Sequence, residues 1–316
     1  MQDYPRTLRD FEARFATEAS CRDYLALLRW PQGPACPGCA ESKGWTTARG
    51  LWMCAGCGRQ VSVTAGTMFQ GTRTSLREWF RAIWWVTSQK TGASALGLQR
   101  ILGLGSYRTA WTWLHKMRRA MVRPGREHLS GEVEVDETFV GGVESGGGRR
   151  HIGKKALVAI AAEGRGQAIG RIRMRRVADS SAESLMPFVG ETVALGSTVV
   201  TDGLLSYLGL PKAGYRHDRR VLLGSGESAH ALLPRVHRVA SLLKRWLLGT
   251  HQGAVAREHL DYYLDEFTFR FNRRASRHRG MLFLRLLEQA VQAEPVPYVK
   301  LRRGVWKRRR GAIHKP

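Results

Sequence analysis

The 316-residue chain is short of negative charge: 26 Asp and Glu stand against 51 Lys and Arg, for a formal net charge of +25. That balance argues against a cationic partner and for a polyanion, nucleic acid first and an anionic membrane surface second. Asparagine is nearly missing. Asn272 stands alone, and arginine far outnumbers lysine, a bias that genome base composition also produces. The basic residues nevertheless recur in every segment. No run of about 20 apolar residues is present, which excludes a membrane-spanning helix. The N-terminus has no apolar core fit for a signal peptide. The expectation is a cytoplasmic protein with no membrane partner. Cysteine is also scarce, at five. Four of the five form two close pairs, which suits metal ligation in a reducing compartment better than disulfides. Cys21 stands apart and reads as a buried free thiol.

The two pairs are Cys36-Pro-Gly-Cys39 and Cys54-Ala-Gly-Cys57, fourteen residues apart. A glycine inside each pair permits the tight turn that aims two sulfurs at one ion. The spacer suits a short hairpin through Trp45 and Trp52. Four thiolates around Zn²⁺ make a closed tetrahedron, a structural site with no position left for substrate. A redox C-x-x-C is the competing reading. Ser75 and Glu78 are spaced as a capping box and open a helix. Residues 94–102 and 106–121 then read as helix, turn, helix, with Gly103 and Gly105 in the turn. Arg108, Lys116, Arg118 and Arg119 give the second helix a basic side. That pattern fits a DNA-reading helix-turn-helix, and equally a plain helical linker with a solvated basic face.

Pro124-Gly125 marks a boundary. After it, residues 131–142 (GEVEVDETFVGG) alternate like a strand, with Val133, Val135, Glu137 and Phe139 on one face and Glu134, Asp136 and Thr138 on the other. A carboxylate in such a strand is costly to bury without a cation or a hydrogen-bonding partner. Segments 156–162 and 168–177 follow as strands, then a helix over 182–192, a strand over 197–201 ending in Thr-Asp202-Gly, and a fifth strand over 221–223. Helices follow from about 236 and over 256–271. The strand-strand-strand-helix-strand-helix-strand order is that of an RNase H-like sheet, in which Asp136 and Asp202 lie on neighbouring strands. Two carboxylates at one sheet edge suit Mg²⁺. Asp202 before a glycine also reads as a plain turn or cap residue. His237 and Lys244, seven residues apart, lie within about 20° on one helical face, although a lone histidine is often structural.

These motifs resemble the insertion-sequence transposases of the DDE class that carry an N-terminal zinc ribbon, the ISXO2-like group. The resemblance rests on the four cysteines, residues 135–142 (VDETFVGG), 201–203 (TDG), 243–246 (LKRW) with Gly249-Thr250, and 263–274 (YLDEFTFRFNRR). It spans roughly residues 15–275. It implies an RNase H-like catalytic domain in which Asp136 and Asp202 are the first two acidic metal ligands and Lys244 contacts DNA near the cleaved end. The family commonly has Glu or Asn seven residues before that lysine. Here the residue is His237, whose imidazole suits Mn²⁺ or Zn²⁺ better than Mg²⁺. Either His237 is a variant ligand, or another acid such as Glu227 completes the site, or the copy is inactive.

The expected architecture is α+β and multidomain: a zinc ribbon (15–70), a helix-turn-helix-like segment (72–125), an RNase H-like DDE domain (130–275) and a basic C-terminal tail (276–316). The expected activity is metal-dependent hydrolysis at the element ends, then joining of the freed 3′-hydroxyl to target DNA. Structural Zn²⁺ and catalytic Mg²⁺ or Mn²⁺ are the expected cofactors. The partners are duplex DNA, as terminal inverted repeats and target, and a second copy of the chain. A nuclease or resolvase on the same fold, and a zinc-ribbon regulator with a degenerate second half, are the rival readings.

Overall fold

The computed structural model describes residues 3–123, 125–141, 155–221, 229–253 and 255–304. The chain divides into two compact units. The first takes in the chain up to Arg123 and again from Ala275, and the second takes in Pro124–Arg274.

The first unit opens with α1 (Leu8–Arg14) and α2 (Glu18–Arg29), each begun by a threonine whose hydroxyl accepts a first-turn amide. The ribbon follows as β1 (Gly44–Thr46), β2 (Trp52–Cys54) and β3 (Gln60–Val61), antiparallel and in that order. Its apolar core is small: Trp52 and Val61 with Cys36 and Cys54, and Trp30 leaning on them. Helix α3 (Leu76–Ser88) has only half the expected capping box. Ser75 Oγ accepts from Glu78 N at 3.3 Å, but the Glu78 carboxylate turns to Arg81. The next amides, of Leu76 and Arg77, instead donate to the Glu18 carboxylate at 2.8 and 3.1 Å.

The helix-turn-helix pair forms within a residue or so of its expected bounds, as α4 (Ala95–Leu102) and α5 (Tyr107–Ala120), capped by Ser94 and Ser106. Gly103 between them sits at φ 62°, the left-handed region where glycine is free of Cβ strain. The expected basic side of α5 is only partly a surface. Arg118 is buried, and Lys116 lies against the Trp79 ring, with burial lowering its pKa. Arg108 is exposed, over the ring of Tyr298 at 4.4 Å.

The second unit is built on five strands: β4 (Glu132–Val140), β5 (Ala156–Arg165), β6 (Ala168–Val177), β7 (Thr198–Thr201) and β8 (Arg216–Arg219), in the order β6-β5-β4-β7-β8. The first three make an antiparallel meander, while β7 runs parallel to β4 and β8 parallel to β7. This is the RNase H-like strand order. Helix α6 (Ala182–Thr192) connects β6 to β7. On its side of the sheet Val133, Val135, Ala159, Ala161 and Val199 pack with Leu185, Phe188 and Val189. A short α7 (Ala229–Leu232) leads into α8 (Pro234–His251), which packs on β4 and β5, and α9 (Leu260–Phe271) packs on β6.

Of the expected strand over 221–223, Val221 is in no strand and the other two residues lie outside the described residues. The last described strand forms over Arg216–Arg219, a stretch that reads as loop in the sequence. Its sequence, RHDR, has no apolar alternation, because an edge strand bonded on one side draws its order from backbone hydrogen bonds to β7. The single asparagine also gains a role. At the end of α9, Asn272 Oδ1 accepts from Ile172 N at 2.8 Å and its Nδ2 donates to Ile172 O at 3.1 Å. The amide thus mimics a strand neighbour along the edge of β6, which a carboxylate, having no donor, could not do.

Beyond the second unit, α10 (Arg279–Ala290) and α11 (Tyr298–Arg302) belong to the first. Residues 276–316, expected as a basic tail, therefore contain core helix. Leu282, Phe283, Leu286 and Leu287 are buried, and the Phe283 ring meets Phe11, Phe15, Phe80 and Trp84. Charge at the extreme end had masked the helical spacing of these apolar residues. The basic cluster at 307–310 lies outside the described residues.

Candidate active site

The parallel pairing of β4 with β7 sets Glu132 beside Thr198, Val133 beside Val199 and Glu134 beside Val200. The pairing ends two residues before each aspartate, and the same offset extended would set Asp136 opposite Asp202, the residue that follows β7. Asp136 and Glu134 share a face, since side chains two apart on a strand point the same way. That face is the one α8 covers.

Crowding of like charge is visible in the carboxylates. Burial pushes the Asp136 pKa up to about 6. The Glu137 N–H, which donates to Asp136 Oδ1 at 2.8 Å, opposes this, while the charges of Asp202 and Glu134 add to it and Lys244 offsets it. On the opposite face, burial pushes Glu137 up to about 8, against the pull of a hydrogen bond donated by the Tyr207 hydroxyl. Tyr207 lies five residues after Asp202, so this bond ties the two aspartate-bearing segments together from behind. Asp202 Oδ1 accepts from Leu204 N at 3.0 Å, the turn role that its glycine neighbour suggested. That contact leaves its second oxygen for other work.

Helix α8 delivers the remaining candidates. Val236, Val239, Leu243 and Leu247 are its buried stripe, which fixes the rotation of the helix. With that stripe inward, His237 is half-buried and Lys244 exposed. His237 Nε2 stands 3.7 Å from Asp136 Oδ2. This is too long for a direct hydrogen bond and near the separation of two ligands on one ion. Carboxylate and imidazole donors with a local excess of negative charge fit a divalent cation. Glu227, the alternative acid, lies outside the described residues.

The four cysteines form a tighter group. Cys36 and Cys57 sulfurs are 3.5 Å apart, as are those of Cys39 and Cys54, and all four lie within 4.8 Å of one another. A tetrahedron with Zn–S bonds of about 2.3 Å has edges of about 3.8 Å, so the cluster fits structural Zn²⁺. Each knuckle places the residue after its second cysteine at positive φ: Ala40 at 60° and Gly58 at 70°. The Gly38 N–H lowers the Cys36 thiol to about 6. The Glu41 N–H favours the Cys39 thiolate, yet the neighbouring thiols push that group up to about 12, a repulsion that a dication relieves. Among the described residues this is the group of three or more His, Cys, Asp or Glu side chains that closes to that spacing. The acidic end of the sheet is wider.

Residues 128–272 match the model of the ISXO2-like transposase domain, and residues 16–60 match that of the transposase zinc-ribbon domain. The chain carries both domains of an ISXO2-like transposase. A protein of Halobacterium salinarum described as "Uncharacterized protein in transposable element ISH50" is similar to it, 29% identical over 279 residues, covering 81% of this chain and 91% of the relative. The first match runs from just before β4 to the end of α9, nearly the whole of the second unit. No helix among the described residues of the transposase is long and apolar enough to cross a membrane.

Three residues at the site carried no functional weight in the sequence. Glu134 read as a face residue beside Asp136, Tyr207 as nothing in particular, and Arg235 as one arginine among many. The available signal was energetic: a second carboxylate on a buried strand face must find donors. Their source, a helix a hundred residues away, is a tertiary fact.

Proposed function

We propose that the transposase is a DDE-type phosphoryl-transfer enzyme that cuts the ends of its insertion sequence and joins them to target DNA. Asp136, Asp202 and His237 are the proposed ligands of Mg²⁺ or Mn²⁺, and Lys244 is the proposed contact to the DNA backbone. The reading is supported by the pairing of β4 with β7 up to Glu134 and Val200, two residues short of each aspartate, by the charge of Asp202 acting on Asp136, and by the approach of His237 to Asp136. A bound divalent cation supplies Lewis-acid polarisation of the phosphodiester and the attacking oxygen. Asp136 and Asp202 supply fixed anionic oxygens, and Lys244, two turns beyond His237, offers an ammonium to a nearby phosphate. In the first step a water oxygen bonds to phosphorus, the 3′-oxygen leaves as a hydroxyl, and the water proton passes to solvent. In the second that hydroxyl oxygen bonds to a target phosphorus and gives its proton to solvent, and the target 3′-oxygen leaves and takes up a proton as a new hydroxyl. No bond between protein and DNA is required.

The imidazole leaves the ligand set one negative charge short, so Mn²⁺ is expected to support more activity than Mg²⁺. The ribbon and the α4–α5 pair are the proposed readers of the terminal inverted repeats. Holding two ends at once calls for at least a dimer on DNA. The test combines zinc-loaded protein, a labelled duplex ending in the terminal repeat, supercoiled target DNA and Mn²⁺. The expected products are free 3′ ends and joined molecules, with neither from Asp136→Asn or Asp202→Asn. Nicked ends without joining would reduce the protein to a nuclease. Binding without cutting under any divalent cation would leave a regulator.

A further inference from the structure

Helix α8 starts without a cap of its own. Its N-cap residue is Leu233, which offers no side-chain acceptor, and Pro234 begins the first turn. The amides that follow have no partner within the helix. Glu134 of β4 supplies one. Its Oε2 accepts from Arg235 N at 2.7 Å and Val236 N at 2.9 Å, and its Oε1 accepts from the Arg235 guanidinium at 3.1 Å. The same guanidinium bonds Glu132 and the Gly166 carbonyl. Glu134 is fully buried, so both of its oxygens are committed to α8, and an anion at a helix N-terminus is further favoured by the peptide dipoles.

The placement matters as much as the bonds. Glu134 is two residues from Asp136 on one strand face, and Val236 is the residue before His237. The three hydrogen bonds therefore join the backbones of the two proposed ligands within one or two residues of each. We propose that Glu134 is a positioning residue: it fastens the first turn of α8 to β4 and so holds His237 in line with Asp136. It does not touch the cation or DNA. Loss of this clamp leaves the α8 stripe on the sheet but frees its first turn, so the site loosens while the fold persists. This inference rests on Asp136 and His237 being ligands.

The test uses full-length, zinc-loaded protein with Glu134→Gln, His237→Ala, the double variant and Asp136→Asn. Mn²⁺ binding is read from the free-ion electron paramagnetic resonance signal, and backbone protection from hydrogen exchange. Glu134→Gln is expected to weaken Mn²⁺ binding about tenfold, as removal of groups that orient metal ligands does. It is also expected to speed exchange at Arg235 and Val236 without changing protection in β5 and β6. Because Glu134 acts through His237, the double variant is expected to bind Mn²⁺ no more weakly than His237→Ala alone. Additive losses, or unchanged exchange at the two amides, would overturn the proposal. Should Glu134→Gln fail to fold, Glu134→Asp keeps the charge one methylene short, and unchanged Mn²⁺ affinity in that variant would overturn it too. If Asp136→Asn and His237→Ala both bind Mn²⁺ normally, the ligand assignment itself falls. If they lose Mn²⁺ and Glu134→Gln does not, only the positioning role falls.

Discussion

The acidic end of the sheet is arranged at a cost in stability, and Asp136→Asn measures that cost. The Asp136 pKa lies at about 6 in the folded protein against an ordinary 3.8. A folded pKa raised above the unfolded value means full stability below about pH 4 and a loss that grows as pH rises through 6. The difference corresponds to about 3 kcal/mol once the group is ionised in both states. Asparagine keeps the shape and an oxygen to accept the Glu137 N–H, but carries no charge. The variant is therefore expected to be more stable than the wild type by about 1–3 kcal/mol at pH 8 and by only about a third of that at pH 4.5, while losing all cleavage. Urea unfolding at the two pH values, with zinc present and other divalent cations removed, reads the difference. Mn²⁺ at a hundredfold excess over its dissociation constant would then stabilise the wild type by about 2.7 kcal/mol and leave the variant unmoved. A variant equally destabilised at both pH values would refute the reasoning, because it would make the Asp136 carboxylate a structural hydrogen-bond acceptor and not a waiting ligand.

Other expectations follow from the same geometry. Cys36→Ser should abolish zinc retention and unfold the ribbon, whose few apolar side chains cannot replace a metal worth roughly 10–16 kcal/mol; binding to end DNA should weaken while far-ultraviolet circular dichroism from α3–α5 persists, and unchanged end binding would remove the ribbon from recognition. Burial pushes the Cys21 thiol up to about 12, so at pH 8 its thiolate fraction is about 10⁻⁴. Zinc removal unfolds the ribbon and separates its thiols, so thiol titration should then count four fast cysteines and one slow. Lys244→Ala and Arg245→Ala should each lower the slope of log affinity against log salt by about one. Arg173→Ala should leave that slope alone and destabilise the second unit.

Much of this arrangement is legible in one sequence because local rules agree there. The C-x-x-C pairs, the Ser94 and Ser106 caps, Gly103, and the alternation across 131–142 each have a short-range cause, and each element formed within a few residues of expectation. The misses have a common cause. Strand β8 is polar and ordered by its neighbour, α10 is apolar but adjacent to a charged end, and the caps of α3 and α8 come from Glu18 and Glu134, remote in the chain. The sequence revealed that Glu134 shared a face with Asp136. It could not reveal that α8 arrives uncapped on that face, because the spacing of Leu233 and Pro234 contains no trace of β4.

The large positive charge also divides differently from the way composition suggests. Arginines alternate along β6 at positions 171, 173 and 175. Arg171 in fact bonds Glu163 and Glu127, buried Arg173 donates to the carbonyls of Ile172 and Glu127, Arg175 pairs with Glu191, and Arg176 with Asp261. Their charge is spent inside the fold, fastening an edge strand that lacks a neighbour. On α8 the case is reversed. Arg238, Lys244 and Arg245 are exposed, and among the described residues none of the three has a carboxylate within 4.0 Å. Long-range attraction of DNA would depend on the whole excess of charge, but on the proposed reading a phosphate at α8 would displace no described carboxylate. The helix that Glu134 is proposed to fasten would then carry both a metal ligand and the charge beside it, so a single clamp would set the register of backbone contact and of chemistry together.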